Sequence, residues 1–476
     1  MNPASSLRTL FCSREARAYI LLLLMCVGTR IASTIYYIED PDSLRFALGV
    51  TDFDIAALQP HFPGYPVFCF VVWLWYKLTG SFALGFSITG GISVFVIIVA
   101  LQRMLRLAPD SPAGSAMAFL VFANPFIWLM SNRYMPDLMG TACMAASLWL
   151  LLFSEKRQAA GTFLAGLLMG IRLSYAPFVL PALLLAGIRR PGPIRTASGF
   201  AAGVLIWLIP MVGLTGWDNL MAAARTQTTG HFEDFGGTIS TEPDFGQRVL
   251  SMTENIVADG LGGYWTGRNW ITMVTGLGMC IALVAGTVHL LKRHRARAPW
   301  IIAGSGILLY FLWILFFQNV VHQSRHILPL LPFLLVPAAI GCGELLRRKK
   351  PAFSLAVLVF FGAYALLSGT LAAQHKRPTA IAQAKTLVQN MNAQGLHIAS
   401  VPLINNFLSA QGVRATFLSV NDSAHRKLLA GLPPGSTLVT IGDYRLLTGR
   451  EPAREMIFYH NPFVNRVWQR VVVHVY

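Results

Sequence analysis

The sequence predicts an all-α polytopic membrane bundle followed by a small α/β extracytoplasmic domain at its C-terminal end. Three observations point there. Of 476 residues, 54% are hydrophobic and only 12% charged, with a mean hydropathy of +0.54, whereas soluble domains carry roughly 25% charged residues. Apolar runs of about membrane-spanning length recur through the first three quarters of the chain. The remainder is polar and alternates short apolar runs with turn residues. The net charge of +17 does not speak for nucleic acid, because the basic residues fall in short clusters between apolar runs, as they do in membrane proteins that fix their orientation. Six cysteines (Cys12, Cys26, Cys69, Cys143, Cys280 and Cys342) lie in or beside apolar segments without metal-ligand spacing and read as packing residues.

The N-terminal segment has Arg8, Arg14 and Arg17 ahead of a long apolar run without a small-residue cleavage site. It reads as a retained signal-anchor. Expected spans run Ala18–Ile38, Phe82–Leu101, Ser115–Met130, Leu138–Phe153, Gly161–Ile171, Tyr175–Ile188, Ala197–Leu214, Ile271–Leu291, Trp300–Phe317, Ile327–Leu346 and Phe353–Leu371, about eleven transmembrane helices in all. Pro63–Leu78 is shorter and rich in Pro, Trp and Tyr, which suits a juxtamembrane or re-entrant helix with Lys77 snorkelling at the headgroups.

With a cytoplasmic N-terminus and that helix kept on the outer side, the loops holding Arg103 and Arg106, Lys156 and Arg157, Arg189, Arg190 and Arg195, Lys292 to Arg297, and Arg347 to Lys350 all fall inside, as the positive-inside rule requires. The outer side then collects a first loop (39–81), a long loop (217–269) and the tail. The expected domains are residues 1–371 and 372–476. In the tail, Thr379–Asn392 reads as an amphipathic helix, and HIASV, ATFLSV, TLVTI, MIFY and VWQRVVVHVY read as strands.

Candidate chemistry concentrates in the first outer loop, where Glu39, Asp40, Asp42, Asp52 and Asp54 precede the turn HFPGYP. Carboxylates are costly inside hydrocarbon but can ionise at its rim, where one could deprotonate an acceptor beside a lipid-borne substrate. Asp40-Pro41-Asp42 is formally a DxD, so Asp40 and Asp42 are the metal candidates. Arg133, Arg172 and Arg325 fall on the outer side, where the positive-inside rule does not explain them, and guanidinium groups grip phosphate bidentately. Asp137 and His61 have a plainer alternative as helix caps.

The order of these features is EDPDS followed by Arg45 and Phe46, then His61, Pro63 and Tyr65, then Asp137, then SRHILPLLP. It resembles the GT-C class of integral membrane glycosyltransferases, nearest the branch with protein O-mannosyltransferases, aminoarabinose transferases and rhizobial lipopolysaccharide sugar transferases. The likeness covers roughly residues 1–346. It implies an inverting hexosyl- or pentosyltransferase in the cytoplasmic (inner) membrane, moving a sugar from a polyprenyl-phosphate carrier to a lipid, polysaccharide or protein acceptor at the outer face. It further implies a catalytic aspartate at Asp42, with Asp40 and Glu39 as rivals and Asp137 as a second outer-face acid. Donor-phosphate contacts would come from His61, Tyr65, Arg133, Arg172, Arg325 and His326, with His326 in place of the usual aromatic and HFPGY in place of HPP. A monophosphate donor requires no cofactor, although the DxD could accommodate a divalent cation.

Two other classes share the topology. A transporter or flippase of lipid-linked saccharides would place charges near span centres, and the spans are almost free of acids. A glycan polymerase or ligase would rely on outer-loop Arg and His rather than a first-loop aspartate.

Overall fold

The computed structural model describes residues 14–189, 192–293, 298–391, 395–433 and 435–476. Cys12, Arg8, Arg190, Arg295 and Arg297, together with the start of the signal-anchor, lie outside these residues. The chain separates into two compact units, one comprising residues 1–34 and 48–373 and the other residues 35–47 and 374–476.

The first unit is helical. Among the described residues five helices are long and apolar enough to cross a membrane: Phe82–Leu105, Pro193–Thr215, Ile271–Lys292, Ala298–Phe317 and one beginning at Pro351. A sixth crossing results if Pro112–Phe122 and Pro125–Asn132, bent by 51°, act as one span. This is a multi-pass membrane protein. The count is lower than the expected eleven or so, for identifiable reasons. The first helix, Arg14–Ala32, carries Arg14, Glu15, Arg17 and Arg30 and stops before Ile38. Asp137–Leu152, Gln158–Ile171 and Leu173–Ile188 are helical but short. The late span starts with a 3-10 turn, Ser324–Ile327, and continues as the helix Leu331–Arg347.

Local chemistry accounts for these boundaries. Ser81 caps Phe82–Leu105 by accepting from the Leu84 N–H, and Asn124 caps Pro125–Asn132 by accepting from Ile127, each satisfying an orphan donor. Within Phe82–Leu105, Thr89 and Ser93 return their hydroxyls to the Gly85 and Thr89 carbonyls, which satisfies both groups inside the helix. Small residues let helices touch. A Cβ on Gly341 would lie 1.9 Å from the Ala282 carbonyl oxygen, which is why Ile271–Arg293 and Leu331–Arg347 can pack backbone to backbone.

Pro66–Thr79 buries Phe68, Cys69 and Val72 and exposes Phe70, Trp73, Leu74 and Leu78. The segment expected as a long loop is largely helical. Trp217–Glu233 and Phe245–Glu254 are helices, and Asn255–Gly260 is a π-helical turn.

The second unit holds a five-stranded sheet in the order β2-β1-β3-β5-β4, formed by β1 (His397–Ser400), β2 (Thr416–Ser419), β3 (Leu438–Ile441), β4 (Arg454–Tyr459) and β5 (Arg470–Val475). Strands β1, β2 and β3 run parallel, while β5 is antiparallel to β3 and β4. Ala399 faces Leu418 on one side and Thr440 on the other. With Val420, Leu429 and Leu438, Ala399 and Leu418 form the apolar core on that face. The helix Ala380–Met391 occupies the amphipathic segment. The same unit includes residues 35–47, which carry the start of the helix Pro41–Thr51.

Candidate active site

In the first unit, one polar network links residues far apart in sequence. Asp137 opens the helix Asp137–Leu152, with Pro136 at the cap position and no side-chain cap bond, so its carboxylate serves no capping role. It sits instead where the helix dipole favours an anion. Asp137 and Arg172 are buried, and Arg172 Nη2 lies 3.1 Å from Asp137 Oδ1. The pair is close but not aligned, since neither Asp137 oxygen accepts a hydrogen bond among the described residues. Burial disfavours the Arg172 charge, yet Asp137 and then Tyr65, Tyr175 and Tyr310 favour it, and the balance holds the guanidinium above its ordinary pKa.

The Arg172 guanidinium also donates from Nη1 to Tyr65 Oη at 3.1 Å, and Tyr65 Oη lies 3.1 Å from His61 Nε2. His61 is therefore not a cap; the cap position of Pro66–Thr79 is Tyr65, held at φ 48° with no side-chain cap bond. Gly64, at φ 87°, turns the chain against Ile55, a conformation glycine adopts at no steric cost.

The sequence-predicted Arg325 and His326 sit in the 3-10 turn Ser324–Ile327, where Tyr310 donates to the His326 carbonyl at 2.9 Å. The Tyr310 ring meets Tyr175 edge-on at 5.6 Å, and Tyr175 donates to the Asp137 carbonyl at 3.2 Å. Arg325 Nη1 lies 3.3 Å from Met135 Sδ, two residues before Asp137. Arg133 Nη1 lies 3.9 Å from Met130 Sδ. The structure thus joins His61, Tyr65, Arg172 and Asp137 directly, and Arg325 and His326 through Tyr310 and Met135.

In the second unit, the three acids of the first loop part company. Glu39 Oε1 accepts from His375 Nε2 at 2.9 Å and Asn465 Nδ2 at 3.2 Å, and its carbonyl accepts from Thr379 Oγ1 at 2.7 Å. Asp40 Oδ1 accepts from the Ser43 N–H at 2.8 Å, as an N-cap does, and Asp40 Oδ2 accepts from Asn465 Nδ2 at 3.1 Å. Both are buried. Asp42 keeps 22% of its side chain exposed, with Arg45 Nη1 3.6 Å away. As Asp40 is committed to capping, Asp40-Pro41-Asp42 reads as a helix N-terminus. No group of three His, Cys, Asp or Glu side chains that could hold a metal occurs among the described residues. In the first unit, exposed Asp54 accepts from the Ala56 and Ala57 N–H groups in a local turn, and Asp52 is exposed.

Sequence reasoning passed over two buried arginines. Arg248 donates to the Leu315, Gly237 and Gln318 carbonyls, and Arg268 pairs with Asp259 at 3.1 Å. No residue pattern announces either one. Arg30, in the first helix, donates to Ser131 Oγ and the Phe122 carbonyl and stacks 3.9 Å over Trp128, which is the internal pairing that a charge inside a span needs.

No protein-family model matches the sequence, and no curated protein matches it. Solved structures do. The structure of ArnT, an aminoarabinose transferase from Cupriavidus metallidurans, bound to undecaprenyl phosphate matches over 96% of this chain and 97% of its own, with a TM-score of 0.53 and 12% identity. The same protein in the apo state matches over 95% and 97%, with a TM-score of 0.52 and 12% identity. The chain has the GT-C fold. The structural likeness covers 96% of the chain and so reaches past the roughly 346 residues that carry the motifs.

Proposed function

We propose that the chain is a glycosyltransferase that moves a sugar from a polyprenyl-phosphate carrier to an acceptor hydroxyl at the outer face of the cytoplasmic membrane. The observation that carries this reading is the accessibility of Asp42. On a chain with the GT-C fold, Asp42 keeps 22% of its side chain exposed, while its neighbours Glu39 and Asp40 are buried and accept hydrogen bonds. The fold's occurrence in ArnT bound to undecaprenyl phosphate supports the carrier class.

Asp42 accepts the proton of the acceptor hydroxyl as its oxygen attacks the anomeric carbon. The bond from that carbon to the phosphate oxygen breaks, the configuration inverts, and polyprenyl phosphate departs. Arg325, with His326, Arg133, His61 and Tyr65, supplies cations and donors to the departing phosphate. The Asp137 carboxylate, which accepts no hydrogen bond among the described residues, orients a sugar or acceptor hydroxyl, with Arg172 as its countercharge. Both hexoses and pentoses fit this chemistry, as do lipid, polysaccharide and protein acceptors. The N-terminus lies in the cytoplasm and the second unit outside.

The test is mass spectrometry of envelope lipids, glycans and glycoproteins from cells with and without this chain. A sugar present only with the chain, together with accumulation of its polyprenyl-phosphate form in the deletion, is the expected result. Unchanged profiles in all three fractions would overturn the reading.

A further inference from the structure

The second unit contains more than the tail: residues 35–47, which carry Asp42, belong to the same compact body as residues 374–476. The ties are specific. Asn465 lies in the turn between β4 and β5, is 2% exposed, and its Nδ2 is within 3.2 Å of Glu39 Oε1 and 3.1 Å of Asp40 Oδ2. Its Oδ1 accepts from the Val467 N–H at 2.8 Å, and His460 Nε2 lies 2.8 Å from its carbonyl. His460 in turn accepts at Nδ1 from the Ala380 N–H at 3.0 Å. Thr379 and His375 hold the other side of Glu39, and Tyr37 donates to the His375 carbonyl at 2.8 Å.

We propose that Asn465 is a positioning residue for Asp42, so that the C-terminal α/β domain sets the geometry of the catalytic base. This rests on Asp42 acting as the base. Two buried carboxylates one residue apart repel each other, and a single amide that donates to both holds them side by side. Asp40 caps the helix Pro41–Thr51, and Pro41 fixes the next φ. Asp42 follows with little backbone freedom left. Asn465 touches no reacting atom; it acts through Glu39 and Asp40.

The isosteric change Asn465→Asp separates this role from packing. It preserves shape and the Oδ1 acceptor for Val467, and replaces the shared donor by a carboxylate oxygen that repels Glu39 and Asp40. The full-length protein is compared with Asn465→Asp, Thr379→Val and Asp42→Asn in membranes that contain the native acceptor. Donor is the polyprenyl-phosphate sugar pool extracted from the same cells, and sites are counted by binding of labelled undecaprenyl phosphate to each purified variant. Turnover is expressed per binding site, so a variant that merely unfolds loses sites and turnover together and leaves their ratio unchanged. Asn465→Asp is expected to lower turnover per site by about tenfold or more with the donor KM within twofold. If Asn465→Asp does not accumulate, Thr379→Val, which releases the Glu39 backbone, is read the same way. An Asn465→Asp enzyme within twofold of wild type per site, beside an inactive Asp42→Asn, overturns the positioning role and leaves the base assignment standing. An active Asp42→Asn overturns the base assignment and, with it, the proposal.

Discussion

Two buried carboxylate clusters, one in each unit, solve the same problem in opposite ways. Asp137 is compensated by a permanent cation, Arg172, at 3.1 Å, and accepts no hydrogen bond among the described residues. Glu39 and Asp40 are compensated by short hydrogen bonds from His375, Asn465 and the Ser43 N–H. A carboxylate that accepts from the protein at several points is anchored and has little left to offer a ligand. A carboxylate with a countercharge but no donor retains its acceptor capacity. The difference separates acids that hold the structure from acids available to chemistry, a distinction their sequence positions do not make.

Replacing one partner in each cluster tests that contrast. Arg172→Met leaves Asp137 buried without a countercharge, and should cost about 3–5 kcal/mol, read as a drop in thermal stability in detergent. A change below about 1 kcal/mol would show that the pair contributes no more than an exposed one. Glu39→Gln retains an acceptor for His375 and Asn465 and should cost less, about 1–3 kcal/mol; a loss matching that of Arg172→Met would erase the distinction.

The Arg325→Lys variant should transfer roughly tenfold less than wild type and resemble Arg325→Ala, because an ammonium cannot make the forked pair of bonds to phosphate. Full activity with lysine removes the argument for bidentate binding.

At the small end stands the exposed Asp443–Arg445 pair at 2.6 Å, where the arginine's hydrogen bond holds the Asp443 carboxyl down to about 2. A depressed pKa contributes stability above the ordinary carboxylate range and loses it as pH falls through about 2. Solvent screens the pair, so Asp443→Asn should leave the melting temperature unchanged between about pH 5 and 8.

What could be read beforehand follows the range of the forces involved. The five strands showed as alternating apolar runs between turn residues, and the Phe82 span as an unbroken apolar stretch, because both patterns are local. The helices Trp217–Glu233 and Phe245–Glu254 did not show, since their polar composition resembles loop. The first helix stops at Ala32 although apolar residues continue to Ile38; beyond it Ile35 is buried and Tyr37 donates to the His375 carbonyl, contacts that hydropathy does not report. The resemblance already placed Asp42 ahead of Asp40 and Glu39, but the anchoring of Glu39 was invisible for the same reason. It depends on His375 and Asn465, which meet Glu39 across 336 and 426 positions of sequence.

The most direct measurement of the central claim is transfer by Asp42→Asn from the polyprenyl-phosphate sugar pool to the acceptor identified in the envelope comparison, with expression and undecaprenyl phosphate binding followed in parallel. The side chain keeps its shape and loses its basicity. Transfer should fall by about 10² or more at undiminished binding, a usual contribution of a general base, while Asp52→Asn and Asp54→Asn stay close to wild type. Near-wild-type transfer by Asp42→Asn would contradict the account.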